Sequence, residues 1–257
     1  MKKQRPTILV TNDDGITAPG IKVLMEVMAE LGDVVVVAPD APQSAMGHAV
    51  TIAKPLRLDK VNIYDGIDMY QSSGTPVDCV KLAVNKVLHK KPDLLVSGIN
   101  HGYNSSINVI YSGTMSAAME GAIEGIPSIG FSLGDFRQDA DFEPVRNYVK
   151  QVAEQVLEHG LPVGSLLNVN FPPIEEIKGM KICRQAVAKW KEEFDERIDP
   201  HGRKYFWLTG KFLLNDNGED TDEFALSQGY ASIVPVHFDF TAYNAIPFLN
   251  NLSFNSK

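Results

Sequence analysis

Thr7-Ile8-Leu9-Val10-Thr11-Asn12-Asp13-Asp14-Gly15 is the stretch from which the fold of this 257-residue chain is read. A run of apolar and β-branched residues ends abruptly in a polar cluster with two adjacent carboxylates. Such a run is a short buried strand that delivers its last residues to a crevice at the sheet edge. Pro19 and Gly20 then open a helix, because proline fits the first turn, where its missing N–H costs nothing. Ile21, Leu24, Met25, Met28 and Leu31 recur at helical spacing, and Gly32 ends the run. Residues 33–38 are nearly all valine and predict a second strand buried on both faces. Strand, helix, strand in such quick order is a βαβ unit of a parallel sheet. Two neighbouring acids repel each other, so Asp13 and Asp14 need a cation or tight hydrogen bonding at that strand end. Two readings stand: a hard divalent metal held by Asp13 and Asp14, or a turn rich in helix-capping residues.

Further along, polar loops keep arriving at the same edge. The second strand leads into Pro39-Asp40-Ala41-Pro42-Gln43-Ser44. Residues 49–58 and 61–71 alternate weakly and suggest an antiparallel excursion, and 76–88 predicts a helix. A buried strand over 92–96 runs into Ser97-Gly98-Ile99-Asn100-His101-Gly102-Tyr103-Asn104. The helix predicted over 113–125 carries Gly113, Ser116, Ala117, Ala118, Gly121, Ala122 and Gly125, small side chains that let backbones approach closely. Strands are predicted over 126–133 and 166–171, with an amphipathic helix over 142–159 between them. The texture changes at 180, dividing a core over 1–180 from an extension over 181–257. In the extension, 189–199 is densely charged and 204–214 is aromatic, which suggests protruding hairpins that reach a neighbouring subunit. A short helix capped by Asp220-Thr221-Asp222-Glu223, a strand over 229–236 and a final helix over 241–252, broken near Pro247, complete the reading.

Composition narrows the function. A formal net charge of -8 argues against a nucleic-acid polymer as partner, since backbone binding relies on lysine and arginine. Cys79 and Cys183 are too few for a disulfide scaffold and fit a reducing compartment. No apolar run approaches a membrane span, and the basic start Met1-Lys2-Lys3-Gln4-Arg5-Pro6 leads into too short an apolar stretch for a secretory signal. The expectation is a cytoplasmic protein.

Ligands of open α/β sheets bind outside the carboxyl ends of the strands. Three such ends supply Asp13 and Asp14, then Ser44, then Asn100. All are oxygen donors, which suit Mg²⁺, Mn²⁺ or Ca²⁺ rather than zinc. The plainer roles are a turn cap for Ser44 and a loop brace for Asn100. Ser105-Ser106 and Tyr111-Ser112-Gly113-Thr114 lie beside these ends, and a helix start with hydroxyls attracts phosphate; an ordinary N-cap is the alternative. His48 or His101 can donate a proton to a leaving oxygen or orient a phosphate, or be a polar surface group. Asp78 either faces the site or is a first-turn helix acid. Cys79 reads as core, and Lys189-Trp190-Lys191, His201 and Arg203 read as a solvated or interface face.

The chain resembles the stationary-phase survival protein E family of metal-dependent nucleoside 5′- and 3′-monophosphate phosphatases. The matching blocks are Thr11-Asn12-Asp13-Asp14-Gly15 with Ala18-Pro19-Gly20, Ala38-Pro39-Asp40 with Ser44, and Gly74-Thr75-Pro76-Val77-Asp78-Cys79-Val80. They continue through Ser97 to Asn104, Val109-Ile110-Tyr111-Ser112-Gly113-Thr114, Ala117-Ala118-Met119-Glu120-Gly121, Thr221-Asp222, Gly229-Tyr230 and Asp239-Phe240-Thr241-Ala242. The resemblance implies a Rossmann-like core with a smaller β-rich C-terminal extension, and dimers or tetramers that swap C-terminal elements. It implies one divalent metal ion per subunit, Mg²⁺ or Mn²⁺, on Asp13, Asp14, Ser44 and Asn100. Asn104 and Ser112-Gly113-Thr114 are implied around the phosphate; Ser105 and His48 join them as expected substrate contacts on the reading of the loops alone. Nucleoside monophosphates, and in some members short polyphosphate, are the implied substrates, with Asp13, Asp14 and Asn100 at the chemistry. The chain departs from the family at Ala45 and Ser106, where glycine is usual, at Asn108, where an acid is usual, and at Val234-Pro235, where Thr-Pro is usual. Three rival functions stand beside this one. An aspartyl-phosphate phosphatase usually has its second acid two positions on, a dinucleotide-binding oxidoreductase needs a Gly-x-Gly-x-x-Gly loop that the first turn lacks, and a non-catalytic sensor releases no phosphate.

Overall fold

The structure is a computed structural model that describes residues 5–137 and 139–252. Met1 to Gln4, part of the basic start considered above, lie outside the described residues. The first unit forms as the sequence predicts: β1 (Thr7–Thr11), α1 (Pro19–Leu31) and β2 (Asp33–Pro39). Every residue of β1 is buried, with Ile8 and Val10 facing one side and Leu9 the other. Pro19 sits in the first turn of α1, and Gly32 donates its N–H to Met28 O at the far end. Burial of β2 is complete only from Val36 onward, so its first valines lie at the rim rather than in the interior.

Next come β3 (Leu58–Val61), β4 (Asp68–Ser72), α2 (Pro76–Leu82), β5 (Leu94–His101), α3 (Gly113–Ile123), β6 (Ser128–Leu133), α4 (Arg146–His159) and β7 (Ser165–Phe171). The antiparallel excursion is confined to β3 and β4; residues 49–57 form no strand. The helix expected over 76–88 changes to a π-turn over Ala83–Val87. The extension adds β8 (Met180–Ile182), β9 (Ala188–Lys191), β10 (Phe194–Ile198), β11 (Lys204–Leu208), β12 (Lys211–Leu214), α5 (Asp222–Ser227), β13 (Ala231–His237) and α6 (Ile246–Leu249). The final helix is shorter than 241–252, with a 3₁₀ turn over Tyr243–Ala245 before α6 and Pro247 in the first turn of α6.

Nine strands form one sheet in the order β3-β4-β2-β1-β5-β6-β7-β13-β8. From β4 to β7 every neighbour is parallel; β3 and β13 run against their partners β4 and β7. α1 and α4 cover one face and α2 and α3 the other, so each face carries its own apolar core. The segment beyond 180 does not stand wholly apart, because β13 and β8 complete the sheet. What does protrude is the arm. β9 pairs with β12 and, beyond them, β10 pairs with β11, both antiparallel. All residues of β10 and β11 are exposed, Trp207 at 59%.

The chain leaves β1 for β2 on one side and later returns to place β5 on the other. That reversal opens a crevice between the carboxyl ends of β1 and β5, the place where such sheets bind ligands. Gly20 holds α1 tight to it, since a Cβ there would lie 2.0 Å from Ile99 O.

Candidate active site

Asp13 and Asp14 follow directly from β1 into this crevice. Asp13 is 5% exposed and Asp14 half-buried. Burial, then the neighbouring Asp14 charge, pushes the Asp13 carboxyl up from its ordinary 3.8 to about 6. Hydrogen bonds from Thr114, including the Oγ1 donor to Asp13 Oδ1, work in the opposite direction. Burial likewise raises Asp14, opposed by the His101 backbone N–H, which donates to Asp14 Oδ2 at 3.3 Å. Among the described residues no lysine or arginine pairs with either acid, so two buried carboxylates share one strand end with no protein cation. A capping turn alone does not account for this, because capping acids are lowered by their hydrogen bonds rather than raised.

The floor of the crevice is the start of α3. Ser112 is the N-cap, its Oγ accepting Met115 N–H at 3.0 Å. Gly113 packs flat against Asp13: an added Cβ would fall 2.7 Å from Asp13 Cβ and 2.8 Å from Oδ2. Glycine is therefore required there by the carboxylate rather than by the helix. The amides of Gly113 and Thr114 belong to the first turn, whose N–H groups lack intrahelical partners, so the anion-binding end of α3 meets Asp13.

From β5, Asn100 turns its Nδ2 to His101 O at 3.0 Å and Gly102 O at 2.9 Å. Both amide hydrogens are thereby used, and Oδ1 remains as an acceptor. From β2, Gln43 N–H donates to Asp13 O at 2.7 Å, so Ser44 stands one residue beyond a bond to Asp13, exposed and with its hydroxyl unbonded among the described residues. The four oxygen-bearing residues Asp13, Asp14, Ser44 and Asn100 thus come from three strand ends bordering one crevice. Among the described residues no three of His, Cys, Asp and Glu converge, so any metal here must rest on two carboxylates and neutral oxygens. This donor set, with its uncompensated negative charge, fits a hard divalent cation.

Other predicted residues are committed elsewhere. Asn104 is 6% exposed; its N–H donates to Asn170 Oδ1, its Nδ2 to Ser132 Oγ, and its carbonyl accepts Asn168 Nδ2. One amide hydrogen of Asn104 remains. The Ser105 hydroxyl donates to Glu223 Oε1 at 2.6 Å, spending it on α5. Ser106 is locked behind it, its N–H on Asp222 Oδ2 at 2.7 Å and its hydroxyl on Ala186 O at 2.8 Å. Asp222 is fully buried and also accepts Ala186 N–H at 2.9 Å, so α5 clamps the loop after β5 to the root of the arm. These partners lie 28 to 118 residues away and carry no local signal in the sequence. Asp78 completes a capping box with Thr75, which settles it as a first-turn acid. Cys79 is core, and burial raises its thiol pKa. Trp190 is half-buried rather than solvated, its Nε1 donating to Asn108 Oδ1 at 3.0 Å.

Two departures noted in the sequence coincide with backbone strain. Ala45 has φ 58° and Ser106 φ 53°, the left-handed region that suits glycine. His48 pairs with Glu120 of α3, Nε2 to Oε2 2.9 Å, whereas the ring of His101 packs edge-on against Phe142 at 4.9 Å.

Comparison with known proteins shows the family and the fold. The family model described as Survival protein SurE matches residues 8–192. A 5'-nucleotidase SurE from Christiangramia forsetii is 61% identical over 99% of this chain and 100% of its own length. Another from Flavobacterium johnsoniae is 62% identical, also over 99% of this chain and 100% of its own length. The crystal structure of the SurE protein from Aquifex aeolicus superposes with a TM-score of 0.82 at 42% identity, covering 95% of this chain and 98% of that one.

Proposed function

The chain belongs to the survival protein SurE family, and on that premise we propose how its residues carry out the family's reaction. As a member it is a phosphatase, a 5'-nucleotidase that hydrolyses nucleoside monophosphates. The observation that carries the assignment of roles is the meeting of Asp13, next to Asp14, with the start of α3, where Gly113 leaves no room for anything but the Asp13 carboxylate.

Asp13 and Asp14, with the Ser44 hydroxyl and Asn100 Oδ1, would hold one divalent cation, Mg²⁺ or Mn²⁺. That ion supplies Lewis-acid polarisation of a phosphate oxygen and acidifies water. The protein does the rest. The Gly113 amide, aided by the Ser112 hydroxyl, orients the phosphate and meets the charge that grows on its equatorial oxygens, and Thr114, bonded through Oγ1 to Asp13 Oδ1, holds that carboxylate in place beside it. The remaining amide hydrogen of Asn104 adds to that field from the β5 side, while Asn100, its Nδ2 hydrogens spent on His101 O and Gly102 O, offers only Oδ1 to the ion. Ser105 acts at one remove, tying the Asn104 loop to Glu223. The negative surface is no obstacle, because substrate charge is met locally.

We further propose that 3′-monophosphates and short polyphosphate are taken by the same crevice, since its contacts address phosphate rather than base. The exposed apolar arm of β10 and β11 supports a dimer or tetramer, with C-terminal elements exchanged between copies. The free Cys79 and Cys183, both buried, support a reducing, cytoplasmic setting. Among the described residues no helix is long and apolar enough to cross a membrane. Phosphate release from AMP, with Mn²⁺ or with chelator, tests the reading: turnover with the ion and none in chelator is expected. Full activity in chelator would overturn the metal assignment.

A further inference from the structure

The loop that carries Ser44 continues along the outside of α3. Gly47 N–H donates to Tyr111 O at 3.3 Å, so His48 starts beside the residue preceding the N-cap of α3. From there its ring reaches Glu120. Glu120 is 2% exposed and is the single acid in a helix of small and apolar residues. Its second oxygen, Oε1, is taken by Lys81 Nζ of α2. Burial pushes the Glu120 carboxyl up, but the bonds from His48 and Lys81 outweigh it and hold the group below the ordinary range.

An ionised carboxylate only accepts hydrogen bonds, so the ring nitrogen facing Glu120 carries a hydrogen. The ring is thereby fixed with Nε2–H on Glu120 and Nδ1 as its second nitrogen, unbonded among the described residues. The side chain is one-third exposed. With Ser116, at the end of the first turn of α3, and Met119, one turn further on, it lines a cavity of about 420 Å³ closed on the other side by Val234 and Val236 of β13. The loop has other ties: Thr75 Oγ1 donates to Ala49 O, and Thr51 N–H to Asp78 Oδ1. A simple loop pin would need neither a Lys-buttressed acid nor a ring nitrogen left open to a cavity. Base, orienting carboxylate and a third group behind it are the arrangement of acid–base catalysis.

We propose that His48 is a catalytic residue that protonates the departing nucleoside oxygen through Nδ1, and that Glu120, braced by Lys81, is its positioning residue. This rests on the hydrolysis described above and adds the fate of the leaving group. Water oxygen bonds to phosphorus, and the bond from phosphorus to the nucleoside oxygen breaks. Its electron pair stays on that oxygen, which takes the Nδ1 proton. The attacking water loses its proton to solvent, and Nδ1 is reprotonated from solvent.

The test compares AMP with p-nitrophenyl phosphate at saturating Mn²⁺, because nitrophenolate leaves without a proton and a nucleoside alkoxide does not. His48→Gln is expected to lose about 10²-fold to 10³-fold in kcat on AMP with little change in KM, and several-fold at most on the nitrophenyl ester. Glu120→Gln shows the same split with a smaller loss. Added imidazole restores part of the AMP rate of His48→Gly. Equal losses on both esters, or a full AMP rate in His48→Gln, would overturn the proposal. If Glu120→Gln fails to fold, as judged by circular dichroism, the two His48 variants on their exposed loop decide alone. Should the wild-type chain release no phosphate from either ester, the hydrolysis reading itself fails, a result distinct from loss of the split.

Discussion

Replacing Asp13 with asparagine should make the metal-free protein more stable while destroying its response to metal. The carboxyl is raised from 3.8 to about 6, chiefly by burial and then by Asp14. One pKa step is worth about 1.4 kcal/mol, so keeping Asp13 ionised at neutral pH costs the metal-free fold about 3 kcal/mol. The sign follows from proton binding. A carboxyl raised on folding binds its proton more tightly in the native state, so its stabilising contribution is full below 3.8. That contribution is lost as pH climbs through about 6. Asparagine removes the charge and keeps an oxygen for Thr114 Oγ1, but must find partners for its amide hydrogens, so the net gain is about 1–3 kcal/mol. A cation at a hundred times its Kd stabilises the wild type by about 2.7 kcal/mol and the variant by almost nothing. Urea unfolding at pH 7.5 in chelator and in Mn²⁺ reads both effects. Circular dichroism is the right probe, since both tryptophans, Trp190 and Trp207, lie in the arm. A variant less stable than wild type in chelator, or one that gains as much from Mn²⁺, would refute the reasoning.

Three further outcomes are expected. Gly113→Ala drives a methyl into Asp13, so kcat/KM for AMP should fall about a hundredfold with the helix intact by circular dichroism; wild-type kinetics would show that the packing does not matter. Ala45→Gly relieves a left-handed alanine, and its thermal midpoint should rise by an amount equivalent to about 0.5–1 kcal/mol with activity retained. Asp78 is held below its ordinary range by hydrogen bonds from Thr51 and Thr75 that outweigh the opposing effect of burial. Its contribution is therefore full above 3.8 and lost as pH falls through the lowered value. An acid titration of stability should be steeper for wild type than for Asp78→Asn, and parallel curves would contradict this.

Much of the core was legible because its signals are local. Valine-rich β2, the spaced apolar residues of α1 and the small side chains of α3 each report a neighbour that must be close. The chain order of strands and polar loops placed Asp13, Asp14, Ser44 and Asn100 at one edge without any structure. The extension was less legible. No local pattern reveals that β13 slots between β7 and β8, or that β9 finds β12 across the whole of β10 and β11. The same holds for the residues around the site. Asn104 and Ser105 look like phosphate contacts until Asn168, Asn170 and Glu223, brought in by distant elements, claim most of their hydrogen-bonding capacity. Ala45 and Ser106 gave a sharper signal, since residues standing where glycine is usual mark the positive φ values found there.

Anomalous diffraction from crystals of the full chain grown in Mn²⁺ tests the account at its root. A single strong peak per chain should lie within coordination distance of Asp13, Asp14, Ser44 and Asn100. A peak elsewhere, or a crevice still empty of manganese in a protein that hydrolyses AMP under the same conditions, would contradict it.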